Sequence, residues 1–257
     1  MMNAHRPFIF VLALLIAGCG DRVTGTYESE VEEQQKYFPL AIGQVTEYRV
    51  DSVAYNEVPG VGLVQDSSTT YLREVVTDTL RDNLGNVQWK VEQYERRSEN
   101  EDWVIARIWT AERTEAQAVR TEENLRFLRL IFPMNRRSEW DGNIWIGDEQ
   151  TVTVAGQTIR PFVNWNYEVD SIDIPRAIGP FNFEQVLVVT EVDETNIIEK
   201  RFSRSVYAKN VGLVFREQWI ADSQYCNKIP VPADCATKPW EEKAERGYYL
   251  RQTILSF

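Results

Sequence analysis

Acidic side chains are the most abundant groups in this chain that could carry out chemistry. The 257 residues include 39 Asp and Glu against 28 Lys and Arg, a formal net charge of −11. Asp170 with Asp173, Glu191 with Asp193, and Asp141 could act as glycosidase acids or bind calcium. None of them fits the spacing of an EF-hand loop, and carboxylates on strands usually face solvent. We therefore predict no catalytic residue and no metal site, and keep a carboxylate-dependent glycosidase as a minor hypothesis.

The first 18 residues have the pattern of an export signal. An uninterrupted apolar run from Phe8 to Ala17 follows Arg6 and ends at small residues just before Cys19. This run is about half of the roughly 20 residues that a permanent membrane-spanning helix needs. We predict that residues 1–18 are a signal peptide that is removed from the mature protein.

Ile16-Ala17-Gly18-Cys19 resembles the lipobox of bacterial lipoproteins. The resemblance implies a diacylglycerol thioether on Cys19 and an acyl chain such as palmitate on the new N-terminus. Several acyl chains hold a protein at a membrane far more firmly than one. Gly20 replaces the Asp that implies inner-membrane retention in enterobacterial lipoproteins. We expect a lipid-anchored cell-envelope protein, at the outer membrane, and keep an ordinary secretory signal as the alternative.

Export also limits the chemistry that the mature chain can perform. Its only histidine, His5, is lost with the signal peptide, which excludes His-based triads, dyads and metal sites. The sequence Ser-Xaa-Xaa-Lys does not occur. The acidic balance argues against binding of nucleic acid, whose phosphates require a basic patch. We expect a non-enzymatic protein that has no cofactor.

Cys226 and Cys235 are the two cysteines that lipid does not use. They enclose a short segment of an exported chain, where oxidised thiols persist, so we predict a local disulfide. The alternative, a redox pair, lacks the Cys-X-X-Cys spacing that tunes a thiolate.

Hydrophobic periodicity predicts a mainly β protein. Residues 19–36 are polar and acidic, and we predict a flexible tether with no buried face. From Tyr37 the apolar period is two, with turn residues between the runs, so 37–257 is predicted to be one antiparallel domain. The expected architecture is a curved sheet, as a half-barrel or a sandwich, with one or two short helices.

Tryptophans are the candidate ligand-binding residues. The segment 102–113 is apolar on both faces, which predicts a strand that is covered on both sides or lines a cavity. Several tryptophans could line an apolar groove for an acyl chain or a flat sugar face, although core packing is the alternative for those in strands. Trp140, Trp145 and Trp240 lie in loop contexts and are the better candidates for surface contacts. The ligand-binding candidates are Trp103, Trp109, Trp140, Trp145 and Trp165.

Three short motifs point to a family. They are Tyr37-Phe38-Pro39-Leu40 with Gly43 and Tyr48, Leu130-Ile131-Phe132-Pro133 with Trp140-Asp141-Gly142-Asn143, and Tyr207-Ala208-Lys209-Asn210-Val211-Gly212-Leu213-Val214. Together they resemble uncharacterised bacterial lipoproteins that begin FPL-x-x-G-x-x-W-x-Y, although Thr46 replaces the tryptophan. The resemblance implies an antiparallel sheet curved into a half-barrel, akin to periplasmic carriers of the LolA/LolB kind, and no particular activity.

The leading hypothesis is a lipid-anchored protein whose curved sheet binds an apolar ligand or an envelope partner. A groove of this kind requires inward apolar residues without a plug. The alternative is an assembly or surface module with a filled core. Such a module would meet a protein or a glycan through loops such as 139–146 and 226–240.

Overall fold

We describe the fold from a computed structural model. The structure describes residues 24–257, with side chains from residue 29 onward, so the predicted signal peptide and Cys19 lie outside the described residues. The helices are α1 (Thr24–Gln35) and α2 (Trp240–Lys243), with a 3-10 turn at Tyr225–Asn227. The strands are β1 (Val45–Val58), β2 (Gly62–Arg81), β3 (Val87–Arg96), β4 (Val104–Arg113), β5 (Gln117–Glu122), β6 (Leu125–Ile131), β7 (Glu139–Trp140), β8 (Val152–Val154), β9 (Gln157–Ile159), β10 (Tyr167–Ile178), β11 (Phe181–Thr195), β12 (Glu199–Ala208), β13 (Gly212–Asp222) and β14 (Arg246–Ser256).

Twelve strands form one antiparallel sheet, in the order β6-β5-β4-β3-β2-β1-β14-β13-β12-β11-β10-β7. Strands β8 and β9 form a separate hairpin. Most neighbours in the sheet are also neighbours in the chain, because short turns favour antiparallel pairing. The turn between β2 and β3 is built by Asp82, whose side chain accepts hydrogen bonds from the N–H groups of Leu84 and Asn86 at 2.8 Å each. The predicted fold class is confirmed.

The two edges of the sheet meet, so the sheet is nearly closed. Strands β6 and β7 follow each other in the chain but lie at opposite ends of the strand order. The Leu128 N–H donates to the Gly142 carbonyl at 2.8 Å, and Trp140 Nε1 donates to the Leu128 carbonyl at 2.9 Å. These bonds join one edge to the other and enclose an interior. The sheet therefore curls on itself instead of stacking as a sandwich.

Apolar residues pack on both faces of β11. Leu187 and Val189 belong to the larger core cluster, whereas Val186 and Val188 belong to a second cluster. Because successive side chains of a strand point to opposite faces, the two clusters lie on opposite sides of this part of the sheet. Glu191 continues the series of Leu187 and Val189, and it faces the interior.

Helix α1 lies within the segment for which the sequence predicted a flexible tether, and for this part the prediction is wrong. Val31 and Gln34 are buried. Gln34 Nε2 donates to the Met134 carbonyl at 2.8 Å, and the Met134 N–H donates to Gln34 Oε1 at 2.7 Å. Because Met134 lies between β6 and β7, the helix docks where the sheet closes. Glu30, Glu32 and Glu33, which suggested a tether, are exposed.

Strand β4 also differs from the prediction. The first half of β4 has no neighbouring strand on the β5 side. Its side chains Val104, Ile105 and Ile108 are 65%, 51% and 56% exposed. The reason is that β5 is short and pairs with β4 only through Thr110–Arg113. Residues 104–109 of β4 therefore form an uncovered edge with apolar side chains.

The loop between β13 and β14 contains the disulfide that the sequence predicted, between Cys226 and Cys235, with 5.1 Å between the two Cα atoms. Helix α2 follows in the same loop. Across residues 24–257, no helix combines the length and the apolar character that crossing a bilayer requires.

Closure of the sheet generates a test at Gly142. A Cβ atom added there would lie 2.3 Å from ring atoms of the fully buried Tyr167. We expect Gly142→Ala to lower the free energy of unfolding by about 1–3 kcal/mol, because the ring has no free volume into which to move. Urea denaturation measures this change. Gly147→Ala in the same loop is the matched control, since its added Cβ meets nothing within 4 Å. Equal stability of the two variants would contradict the close approach.

Candidate functional site

Six charged residues, carried by five strands of the curved sheet, lie on its inner side. We name them the internal charge network: Glu74, Arg120, Glu122, Arg129, Glu191 and Arg216. Glu191 has no exposed surface, and Arg129 is 4% exposed. An isolated ion at such depth is costly, so its charge must be compensated by a partner.

Ion pairs connect five members of the network. Arg120 Nη2 lies 2.6 Å from Glu74 Oε1, and Arg120 Nε lies 3.0 Å from Glu122 Oε1. Arg129 Nη2 lies 3.3 Å from the same Glu122 oxygen, and Arg129 Nη1 lies 3.6 Å from Glu191 Oε1. Glu122 is therefore shared between two arginines. It links the half of the network near β2 to the half near β11.

Hydroxyl and aromatic groups complete this environment. Ser203 and Ser205 both donate hydrogen bonds to Glu191, the second at 2.8 Å. The Arg120 guanidinium lies 4.3 Å from the centre of the Trp109 ring, and the Arg129 guanidinium lies 4.2 Å from the centre of the Phe127 ring. Such contacts between a cation and an aromatic face stabilise arginines that have left water.

The network keeps Glu122 ionised. Burial alone would raise the pKa of its carboxyl, but the nearby charges of Arg129 and Arg120 outweigh burial and lower the pKa to about 2. The same attraction raises the pKa of Arg129 and of Arg120 although both are buried. Since the folded pKa of Glu122 lies below its usual value of 4.5, this stabilisation is complete above about pH 4.5 and is lost as the pH falls towards 2.

Two partly open cavities border the network, and both are lined by Arg129 and Arg216. The first has a volume of about 60 Å³ and is bordered at its partly exposed end by Pro39, Leu40 and Gln44. The second, which we name the aromatic cavity, has a volume of about 180 Å³. Its walls include Phe127, Phe162, Trp165, Tyr248 and Val152.

The aromatic cavity is lined by both charged and apolar side chains. Glu122, Arg129 and Arg216 supply the charged groups, and burial raises the pKa of the Tyr248 phenol to about 12, so this hydroxyl stays protonated. The rings of Phe162 and Trp165 meet edge to face with 5.6 Å between their centres. This combination of rigid aromatic walls and a few polar groups is typical of small-molecule sites.

The structure brings two of the five candidate tryptophans together and separates the other three. Trp140 and Trp165 are 8% and 6% exposed and lie on either side of Tyr167, with ring centres 5.6 and 6.2 Å from its own. Only Trp165 lines the aromatic cavity. The prediction of a surface contact through Trp140 is wrong, because its indole is buried and donates the hydrogen bond to Leu128 that joins the two sheet edges. The same prediction is wrong for Trp240, which is also buried.

The remaining candidates lie elsewhere. Trp103 lies between the guanidinium groups of Arg73 and Arg96, and Trp109 packs on Arg120 at the network. Trp145 is 45% exposed, with its ring under Arg126. These three tryptophans are not wall residues of the aromatic cavity.

Asp170, Asp173 and Glu191, three of the carboxylates weighed as acids, have structural partners. Asp170 accepts a hydrogen bond from Thr190 and lies 3.4 Å from Arg204. Asp173 lies 2.7 Å from Lys209 Nζ. Glu191, interpreted as solvent-facing, is instead the most deeply buried carboxylate of the network. Among the described residues, no group of three or more His, Cys, Asp or Glu is placed to hold a metal ion.

Comparison with known proteins finds solved structures of low similarity, among them the following two. No protein-family model and no curated protein matches the chain. One structure, described as an exported protein with a YmcC-like fold from Bacteroides fragilis NCTC 9343, is 11% identical, with a TM-score of 0.39, over 85% of this chain and 98% of its own. Another is described as a lipoprotein from Parabacteroides distasonis ATCC 8503. It is 11% identical, with a TM-score of 0.31, and the match covers 85% of this chain and 96% of that chain. Neither likeness is close enough to assign a family, and the LolA/LolB comparison stays a prediction.

The shared position of Glu122 generates a stability test. Glu122→Gln removes the only charge that Arg120 and Arg129 share, so we expect the free energy of unfolding to fall by roughly 3–5 kcal/mol. The neighbouring Glu123→Gln is the control, because its ion pair with Arg107 is exposed and worth at most about 1 kcal/mol. Equilibrium unfolding in urea compares the two. Similar midpoints for both variants would show that the network does not hold the interior together.

Proposed function

We propose that this protein is a non-enzymatic binding protein, anchored in the cell envelope by lipid on Cys19, that holds a small ligand with an apolar body. The aromatic cavity is the observation that supports the proposal. It combines a volume of about 180 Å³ with walls formed by Phe127, Phe162 and Trp165. The anchor and the envelope location rest on the signal sequence.

The size and the lining of the interior restrict the ligand. A complete acyl chain needs a long apolar groove, and the internal charge network interrupts the interior where such a groove would run. A compact body of about the size of one ring fits the aromatic cavity, since an apolar cavity of about 150 Å³ can hold benzene. We therefore favour a small amphiphile over a long lipid.

A second candidate function is supported by exposed apolar residues in the two loops that the sequence singled out. Ile144 is 59% exposed in the loop after β7, and Ile229 and Val231 are 97% and 62% exposed beside the disulfide. Exposed apolar side chains of this kind mark surfaces that contact partners. In this alternative an envelope protein, not a small molecule, is bound.

Native mass spectrometry distinguishes the two functions. The full chain with Cys19→Ala would be purified without detergent from the envelope fraction of its own host, so that no anchor lipid is attached. We expect a stoichiometric adduct of small-molecule mass that is lost on denaturation. Trp165→Ala, which opens a wall of the aromatic cavity, should reduce the adduct, whereas Trp145→Ala at the surface should not. A bare polypeptide mass in all three proteins would contradict ligand binding and favour the protein partner.

A further inference from the structure

Arg216 is the member of the internal charge network that has no carboxylate partner. Glu74, Glu122 and Glu191 each lie within ion-pair distance of Arg120 or Arg129. Arg216, only 9% exposed, makes one side-chain hydrogen bond, from Nε to Ser205 Oγ at 3.3 Å. Its two terminal nitrogens have no hydrogen-bond or ion-pair partner among the residues that the structure describes. The charge of Arg216 acts on Glu122 only from beyond ion-pair distance, so its terminal nitrogens are free to bind an anion.

Arg216 lies beside the aromatic cavity, so its unpartnered terminal nitrogens are close to the space that a ligand would occupy. Arg216 lines this cavity together with Gln218 of the same strand and Tyr248 of β14. The aromatic side chains Phe127, Phe162 and Trp165 line the same space. A ligand in the cavity would therefore meet an apolar wall and the free end of a guanidinium.

We propose that Arg216 binds the carboxylate of a small monocarboxylic acid whose apolar body occupies the aromatic cavity. This inference rests on the proposed function and names the chemical class of its ligand. A guanidinium presents two parallel N–H groups, which match the two oxygens of a planar carboxylate. The side chain that positions the fork is Ser205, through its hydrogen bond to Nε.

The carboxylates of the network limit how much negative charge the ligand can carry. The network contains three arginines and three glutamates, so its formal charges sum to zero. A monoanion at Arg216 adds a single charge next to the one guanidinium of the network that makes no ion pair. A dianion such as a phosphate monoester would add a second charge near Glu122, which lines the same cavity.

Benzoate and benzamide test the inference on the unmodified binding site. The two probes have nearly the same shape, and one ring fits the aromatic cavity, but only benzoate carries a charge. Titration of the Cys19→Ala chain would be followed by two-dimensional NMR of the tryptophan indole N–H groups. We expect a shift of the Trp165 signal that saturates with benzoate, and an affinity for benzamide at least tenfold weaker.

Variants then test whether Arg216 causes the preference for benzoate over benzamide. Arg216→Met should abolish the preference for benzoate, while Arg176→Met, which changes an exposed arginine of β10, should leave it intact. Arg216→Lys should keep part of it, because a point charge remains without the fork. The comparison of probes on the parent chain needs no variant, so the test stands even if Arg216→Met does not fold.

Two results would overturn the inference. Equal binding of benzoate and benzamide would show that the cavity takes an apolar body without a role for Arg216, which leaves the proposed function standing. Absence of benzoate binding would also overturn it. In that case the native mass spectrum decides separately whether the cavity holds any other ligand.

Discussion

The carboxylate of Glu122, held between Arg120 and Arg129, is the interaction on which the interior of this protein depends. A sheet of twelve strands that nearly closes must fill or line the space that it encloses. Here charged residues line part of that space and apolar residues line the rest. Because the charges have left water, each must find compensation inside the protein, and Glu122 supplies it to both arginines.

Closure of the sheet and the ion pairs strengthen each other. Hydrogen bonds between Leu128, Trp140 and Gly142 join the sheet edges, and α1 docks on the connection between them through Gln34. Both features bury the network, and ion pairs are stronger where the effective dielectric constant is low. The same burial makes the missing ion pair of Arg216 significant. On a wet surface an arginine with free nitrogens would need no explanation.

The sequence predicted the class of the fold because the period-two pattern is a local property. Turn residues such as those at 82–86 divide the runs, and antiparallel pairing of neighbours follows. The uncovered half of β4 could not be predicted, since it depends on where β5 begins. The docking of α1 depends on Met134, which is distant in the chain, so its acidic residues alone suggested a tether.

The internal charge network escaped prediction for the same reason. Glu74 lies on β2, Arg120 on β5 and Glu191 on β11, so their proximity is a result of the closed sheet. Alternation gave no local signal, because Ala118 and Val119 are both buried and β11 is apolar on both faces. Nothing in the sequence separated Trp165 from the other tryptophans either.

The pKa of Glu122 is the most direct measure of whether the interior is held by ionised groups. A ¹³C NMR titration of its side-chain carboxyl carbon, assigned by comparison with Glu122→Gln, would follow this group in the folded protein. We expect the carboxyl to stay ionised as the pH falls through 4.5, with a pKa of about 2 or with protonation only when the domain unfolds. A titration midpoint at or above 4.5 in the folded protein would contradict the account, because the two arginines would then not compensate the buried charge.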